Sequence, residues 1–285
     1  MNAPKPFLTV RVHDASIMPT LCGLCAGYER GEWRSTQFAN HLVEWLPEFA
    51  LTASELANID SGNAVELLRH AAQIVYQSKK FEKRGEFGEL MLHAAVRQVH
   101  NSIPAISKIY YKTTVNEPVK GFDAVHIVEA DGELELWMGE AKFYDDAAHA
   151  ISDVVTEIHA HLETDYLRNE FLLIGGKIDD ACPHAATLRQ LMQPNTSLDD
   201  IFKRACIPVL LTYDSDCINK HTVCDAAYGV AFTAEISKYY QVFAKKLVGK
   251  PLPSEMRVHL FLLPLKSKTD LVAKLDEKLK TWQDI

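Results

Sequence analysis

The chain has no basic excess. Thirty Lys and Arg stand against 38 Asp and Glu, a formal net charge of −8 with a pI near 5.8. That argues against a protein that coats nucleic acid with a cationic surface. No apolar run approaches the ~20 residues that span a bilayer. Residues Met1 to Leu8 lack the apolar stretch of a secretory signal, and the reading is a cytoplasmic protein. A zinc framework is missing too. Cys22 and Cys25 form a C-x-x-C, but Cys217 and Cys224 are six residues apart and no second C-x-x-C or H-x-x-x-H follows. The six cysteines therefore read as reduced, buried thiols, with a metal half-site or a redox pair as the lesser alternatives. The absence of internal repeats and of low-complexity segments excludes a solenoid.

What is present is ordinary globular composition, 47% apolar and 24% charged over 285 residues, enough to close a core without staples. The charge is uneven. Residues 129–200 hold 16 Asp/Glu against 4 Lys/Arg, whereas 241–285 hold 9 Lys/Arg against 5 Asp/Glu. The basic tail, from Lys245 to Lys280, reads either as a solvated helix face or as a DNA or partner contact.

Residues Pro6 to Val12 read as a short strand. Helices follow from a cap at Ser35 or Thr36, over Thr52 to Ile59, and from a cap at Asn63 with a stripe of Val65, Leu68, Ala72, Val75 and Tyr76. The stretch 1–78 is thus a mostly helical N-terminal region. A charged entry, Lys79 to Arg84, opens residues 79–285. There a helix runs from Gly85 to about Val99 and is stopped by Pro104. Strands are expected at Ile106 to Thr113, Gly121 to Glu129 and Glu133 to Phe143, the last two joined by an Asp131-Gly132 turn. A long helix from Asp145 to about Leu167 and a buried strand at Phe171-Leu172-Leu173-Ile174 come next. Later strands are expected at Ile207 to Tyr213 and Val258 to Leu265, with helices over 184–193, 225–248 and 268–282. The order helix, three strands, helix, strand is an α/β arrangement with a mixed sheet.

Four residues carry the chemistry of interest. Glu140 and Lys142, two apart on a strand, share a face whose upstream members Leu134, Leu136 and Met138 are apolar. A buried face that ends in two opposite charges enters a polar site. A two-residue Asp131-Gly132 loop pairs residues whose numbers sum to about 263, which sets Asp123 opposite Glu140. Two carboxylates ~4 Å apart repel by roughly 4 kcal/mol at an effective dielectric of ~20, and a divalent cation reverses that sign. Carboxylates with water and a phosphate oxygen are the usual shell of Mg²⁺, and Mn²⁺ is the alternative. Lys142 can hold a water or stabilise developing negative charge. Glu89, opening the helix after Gly88, is the further carboxylate, with Glu86 on nearly the same face as its rival. The set suits metal-assisted hydrolysis of a phosphodiester.

With Glu89, Asp123 and Glu140-Ala141-Lys142 on those elements, the chain resembles the PD-(D/E)xK nuclease superfamily, whose restriction-endonuclease-like core has the same element order. Three segments resemble the HamA family, the nuclease subunit of the Hachiman anti-phage system: Arg84-Gly85-Glu86-Phe87-Gly88-Glu89, Gly121-Phe122-Asp123-Ala124-Val125-His126 and Gly139-Glu140-Ala141-Lys142-Phe143. That resemblance would cover most of the chain and implies a bacterial antiviral DNA nuclease, with 79–285 as the nuclease-like domain and its C-terminal extension. It also implies a superfamily 2 helicase partner that restrains it. The RecB-type Gln-x-x-x-Tyr on the helix after Lys142 is missing, which leaves the groups around the substrate undefined.

Plainer readings stand beside these. Glu140 and Lys142 form an ordinary salt bridge at a strand end, and Glu86 and Glu89 are first-turn glutamates favoured by the helix dipole. His126, on the opposite strand face from Asp123, is either a structural histidine or a catalytic or phosphate-contacting one. His149, His159 and His161 read as solvated or core positions, because His159 and His161 are two apart and share no helical face. Two other functions compete: a non-cleaving, DNA-sensing regulatory subunit of a helicase complex, and a stand-alone restriction-type endonuclease.

Overall fold

The computed structural model describes residues 3–75, 85–107, 121–130, 132–249 and 252–284. The Lys79 to Arg84 entry, Tyr76, Ile109-Tyr110-Tyr111, Asp131 and Lys250 lie outside them. The N-terminal part contains β1 (Thr9–Asp14), β2 (Thr20–Cys25), β3 (Tyr28–Glu29), β4 (Glu32–Trp33), α1 (Ser35–Glu44), α2 (Leu46–Ala50), α3 (Ala53–Ala57) and α4 (Ala64–Val75). Next come α5 (Gly85–His100), β5 (Ile103–Ser107), β6 (Ala124–Ala130), β7 (Glu133–Phe143), α6 (Ala147–His161), α7 (Thr164–Gly175), α8 (Ala185–Leu191) and α9 (Leu198–Phe202). The chain ends with β8 (Ala205–Asp214), α10 (Asp216–Lys220), α11 (Ala226–Val248), β9 (Arg257–Leu265) and α12 (Lys268–Gln283).

Seven strands form one mixed sheet in the order β1-β2-β9-β8-β7-β6-β5. The inner pairs β2–β9, β9–β8 and β8–β7 are parallel, and the outer pairs are antiparallel. The parallel strands are covered on both faces and read as near-continuous apolar runs, as in Ala205 to Tyr213. Helix α5 packs on one face against β6, β7 and β8, while α6 and α11 cover the other. The described part of the stretch 1–78 holds four helices, and it also supplies β1 and β2 to this same sheet. Helices α1 and α4 pack on α12, the last element, with Lys274 Nζ donating to Ser35 Oγ at 2.6 Å.

Several expectations need correcting. Phe171-Leu172-Leu173-Ile174 is not a buried strand but the end of α7. Leu167, Phe171 and Ile174 are buried while Leu172 and Leu173 are more than half exposed, a 3.6-residue period that an unbroken apolar run conceals. The long helix from Asp145 is two helices, because Glu163 is extended (φ −63°, ψ 134°) and caps α7. The expected order helix, three strands, helix, strand is therefore interrupted: after α6 the chain passes through α7, α8 and α9 before the next strand, β8. Strand β2 was not expected. Its six residues, TLCGLC, are buried throughout, too short and too evenly apolar to show alternation. The edge strand β5 starts at Ile103 and includes Pro104, a position where a missing N–H is tolerated. Neither Ser35 nor Thr36 caps α1; Arg34 stands there with no side-chain cap bond. Thr52 does cap α3, in a reciprocal pair with Glu55.

Away from the Phe143 end of β7, Trp137 is stacked by His259 (centroids 4.6 Å apart) and flanked by His100 at 4.5 Å. Thr20 Oγ1 lies 2.6 Å from His259 Nδ1 and so ties β2 to β9. Burial holds both imidazoles down, each to about 4.

Candidate active site

The β6–β7 hairpin keeps one register from Ala124↔Gly139 to Ala130↔Glu133, the pairing expected from a two-residue turn. The turn's Gly132 takes φ +80°. Asp123 stands just before β6, one residue beyond the paired stretch. Its backbone N–H donates to Gly139 O at 2.8 Å, and its Oδ2 accepts from the Ala141 N–H at 2.8 Å. Asp123 is thus clipped to the backbone on both sides of Glu140, and both carboxylates are buried.

Strand parity sends Glu140 and Lys142 to the α6 face, and α6 answers them in pairs. Glu140 Oε1 lies 2.5 Å from His161 Nδ1, and Lys142 Nζ is ion-paired with Glu157 Oε2. The spacings match. Two residues along a strand advance about 6.7 Å, and four along a helix about 6 Å, on one face. Glu157-x-x-x-His161 therefore sits opposite Lys142 and Glu140, on the helix where Gln-x-x-x-Tyr was missing. His161 is steadied by Tyr166, stacked at 4.7 Å, and by Phe122 edge-on at 5.1 Å. Gly121 completes this wall. At φ +149° it leaves room for the buried Glu170 of α7, whose Oε2 would lie 2.5 Å from any Cβ placed there.

Glu86 and Glu89 are buried on α5, which packs on the other face. Gly88 lies against β7 there, with a Cβ built on it 2.9 Å from Phe143 Cβ and 3.6 Å from Ala141 Cβ. Among the described residues no group of three or more His, Cys, Asp or Glu is arranged to hold a metal ion. The structure brings Asp123, Glu140 and Lys142 to one end of β7 and does not gather Glu89 or Glu86 into a three-ligand cluster with them. Two carboxylates on adjacent strands remain. That donor set still fits Mg²⁺, a hard ion that keeps several waters and takes one or two carboxylates. The zinc alternative for Cys22 and Cys25 does not fit. Both are buried in β2, where residues three apart face opposite sides, and burial pushes the Cys22 thiol up to about 12.

His126 belongs to the core. It faces α5, bonded through Nδ1 to Ser102 Oγ at 2.8 Å and stacked edge-on against His93 at 5.1 Å. Burial pushes it well below the usual imidazole range, so it stays neutral. Behind it, Glu48 grips Arg97 at 2.5 and 3.1 Å and His93 at 3.2 Å. Burial alone would raise the Glu48 carboxyl, but the bonds and charges of His93 and Arg97 outweigh it and bring it down to about 2.

Sequence reasoning missed Glu157, His161 and Glu170. The usable signal was the four-residue step from Glu157 to His161. His159, two positions from His161 and on another helical face, masks that step in the sequence.

The family model HamA matches residues 4–279. The chain is also 23% identical over 267 residues to Anti-bacteriophage protein A of Escherichia coli (strain K12), covering 89% of this chain and 46% of that protein. It thus spans about half the length of that relative. The family match runs from before β1 into α12, through the entire sheet and the Asp123–Glu140–Lys142 corner, and the chain belongs to HamA, an anti-phage defence family.

Proposed function

We propose that this protein is a metal-dependent deoxyribonuclease that serves as the effector of an anti-phage complex with a superfamily 2 helicase. One observation carries the reading: Asp123 is clipped on both sides of Glu140, with Lys142 two residues on and on the same strand face. The run α5, β5–β7, α6 around that corner, with β8 following after three further helices, supports a PD-(D/E)xK reading. Family membership supports the defence context.

Asp123 and Glu140 would hold Mg²⁺ or Mn²⁺, which when bound acts as a Lewis acid on the scissile phosphate and lowers the pKa of a bound water. The chain's own groups do the rest. Backbone bonds to Asp123 fix one carboxylate, and His161 orients the other. The Lys142 ammonium offers N–H donors to charge developing on the phosphate oxygens. Burial of both carboxylates keeps bulk water from screening these interactions.

The test is cleavage of linear and plasmid DNA with Mg²⁺ or Mn²⁺, by the chain alone and with its helicase. Glu140→Ala and Lys142→Ala should each abolish cleavage with unchanged far-UV circular dichroism, and EDTA should stop the wild type. Full activity in both folded variants overturns the assignment. The rival reading is a non-cleaving subunit that senses DNA. Binding without cleavage under every metal and partner condition would establish it.

A further inference from the structure

The ammonium of Lys142 already has an anion on it. Its partner, Glu157, is the outer member of the pair: the Glu157 side chain is 44% exposed and that of Lys142 only 11%. A carboxylate oxygen and a phosphodiester oxygen are alternative acceptors for the same N–H donors, and neither tolerates the other close by. One helical turn on, His161 occupies Glu140, so α6 engages both polar ends of this face of β7. No sequence motif required an acid at Glu157. A neutral residue there would leave Lys142 open to substrate.

We propose that Glu157 is a built-in competitor, its carboxylate occupying on Lys142 the position that a DNA phosphate must take. Substrate displaces it only when delivered at high local concentration. The inference rests on the nuclease reading for its consequence, since the site it screens is the one proposed above. Its physical content is the exchange of one anion for another on Lys142. Half-exposed ion pairs of this kind are individually weak, so the screen slows engagement of stray DNA without blocking it.

The experiment uses the full chain, with Ca²⁺ replacing Mg²⁺ so that binding is read without turnover. Glu157→Gln, close to isosteric, should tighten binding of a short DNA duplex about two- to fivefold at low salt. Glu157→Ser should do the same should Gln retain a hydrogen bond to Lys142. The gain should vanish when Lys142→Ala is the background. In parallel, the acylation rate of Lys142 by an amine-reactive ester, followed by mass spectrometry, should rise in both Glu157 variants. Unchanged acylation means that the pair does not form in solution and overturns the proposal. Faster acylation with unchanged or weaker DNA binding overturns it too, and makes Glu157 a positioning residue. If no form of the protein cuts DNA yet the Lys142-dependent gain in binding is seen, the competitor stands and the nuclease reading falls.

Discussion

Acid should loosen this protein well before its carboxylates titrate. His100 and His259 flank Trp137, 5.2 Å apart centre to centre, and burial brings each from 6.5 to about 4. A depressed histidine is neutral in the fold and protonated in the unfolded chain between those two values. There the unfolded state binds more protons, and stability falls as pH falls. At 1.36 kcal/mol per unit, each ring would cost about 3 kcal/mol across the window from 6.5 to 4. The two are not independent, since each charged ring opposes the other, and both are partly open to solvent, so about 3 kcal/mol for the pair is the fair expectation. His93 and His126, also pushed down by burial, act in the same direction. For a chain of this size the melting temperature should drop by on the order of 5–10 °C between pH 7 and pH 4.5. Circular dichroism melts at constant ionic strength would follow it. A His100→Phe, His259→Asn double variant should show a shallower pH slope, whatever its stability at pH 7. A wild-type melting temperature that is flat from pH 7 to 5, or an equal slope in the double variant, would refute the argument.

Two further outcomes follow from other parts of the molecule. Gly121→Ala places a methyl 2.5 Å from Glu170 Oε2 at φ +149° and should cost about 1–3 kcal/mol; thermal melts check this, and a melting temperature equal to the wild type's would show that the wall around His161 is soft. The isolated chain, with 16 acidic residues against 4 basic ones over 129–200, should bind DNA weakly, with affinity falling steeply as salt rises; tight binding at physiological salt, read by fluorescence anisotropy, would remove the need for a partner to deliver DNA.

Much of the site was legible because hairpin geometry is local. The ends of β7 and the pairing of Ala124 with Gly139 follow from alternation and from a two-residue turn, and parity then put Glu140 and Lys142 on one face. The α5 helix was equally plain from its apolar spacing and from Pro104 beyond it. What stayed hidden was set by tertiary contact. The run Phe171 to Ile174 has no polar residue to show its period, so only its neighbours decide that it is helical. Strand β2 is buried throughout and pairs with β9, some 240 residues later, so nothing local in its six residues marks it as a strand. The partners of Glu140 and Lys142 come from a helix whose spacing matches theirs only after it docks. His126 shows the reverse: parity placed it on the face away from Asp123, and the His93–Glu48–Arg97 cluster there explains why it is structural.

The pairing of β2 with β9 also bears on how the molecule comes into being. On the ribosome, the first two strands emerge long before the strand they must lie against, and the sheet around Glu140 cannot gain its full parallel flank until β9 follows. A chain cut short by a damaged message would lack that flank and α12, the helix on which α1 rests. Removing the residues before α5 would strip β1 and β2 from the sheet and leave β9 with a bare edge, an invitation to aggregate. The sheet around Glu140 is thus complete only once β9 has joined β2, so an early and a late segment of the chain close it together.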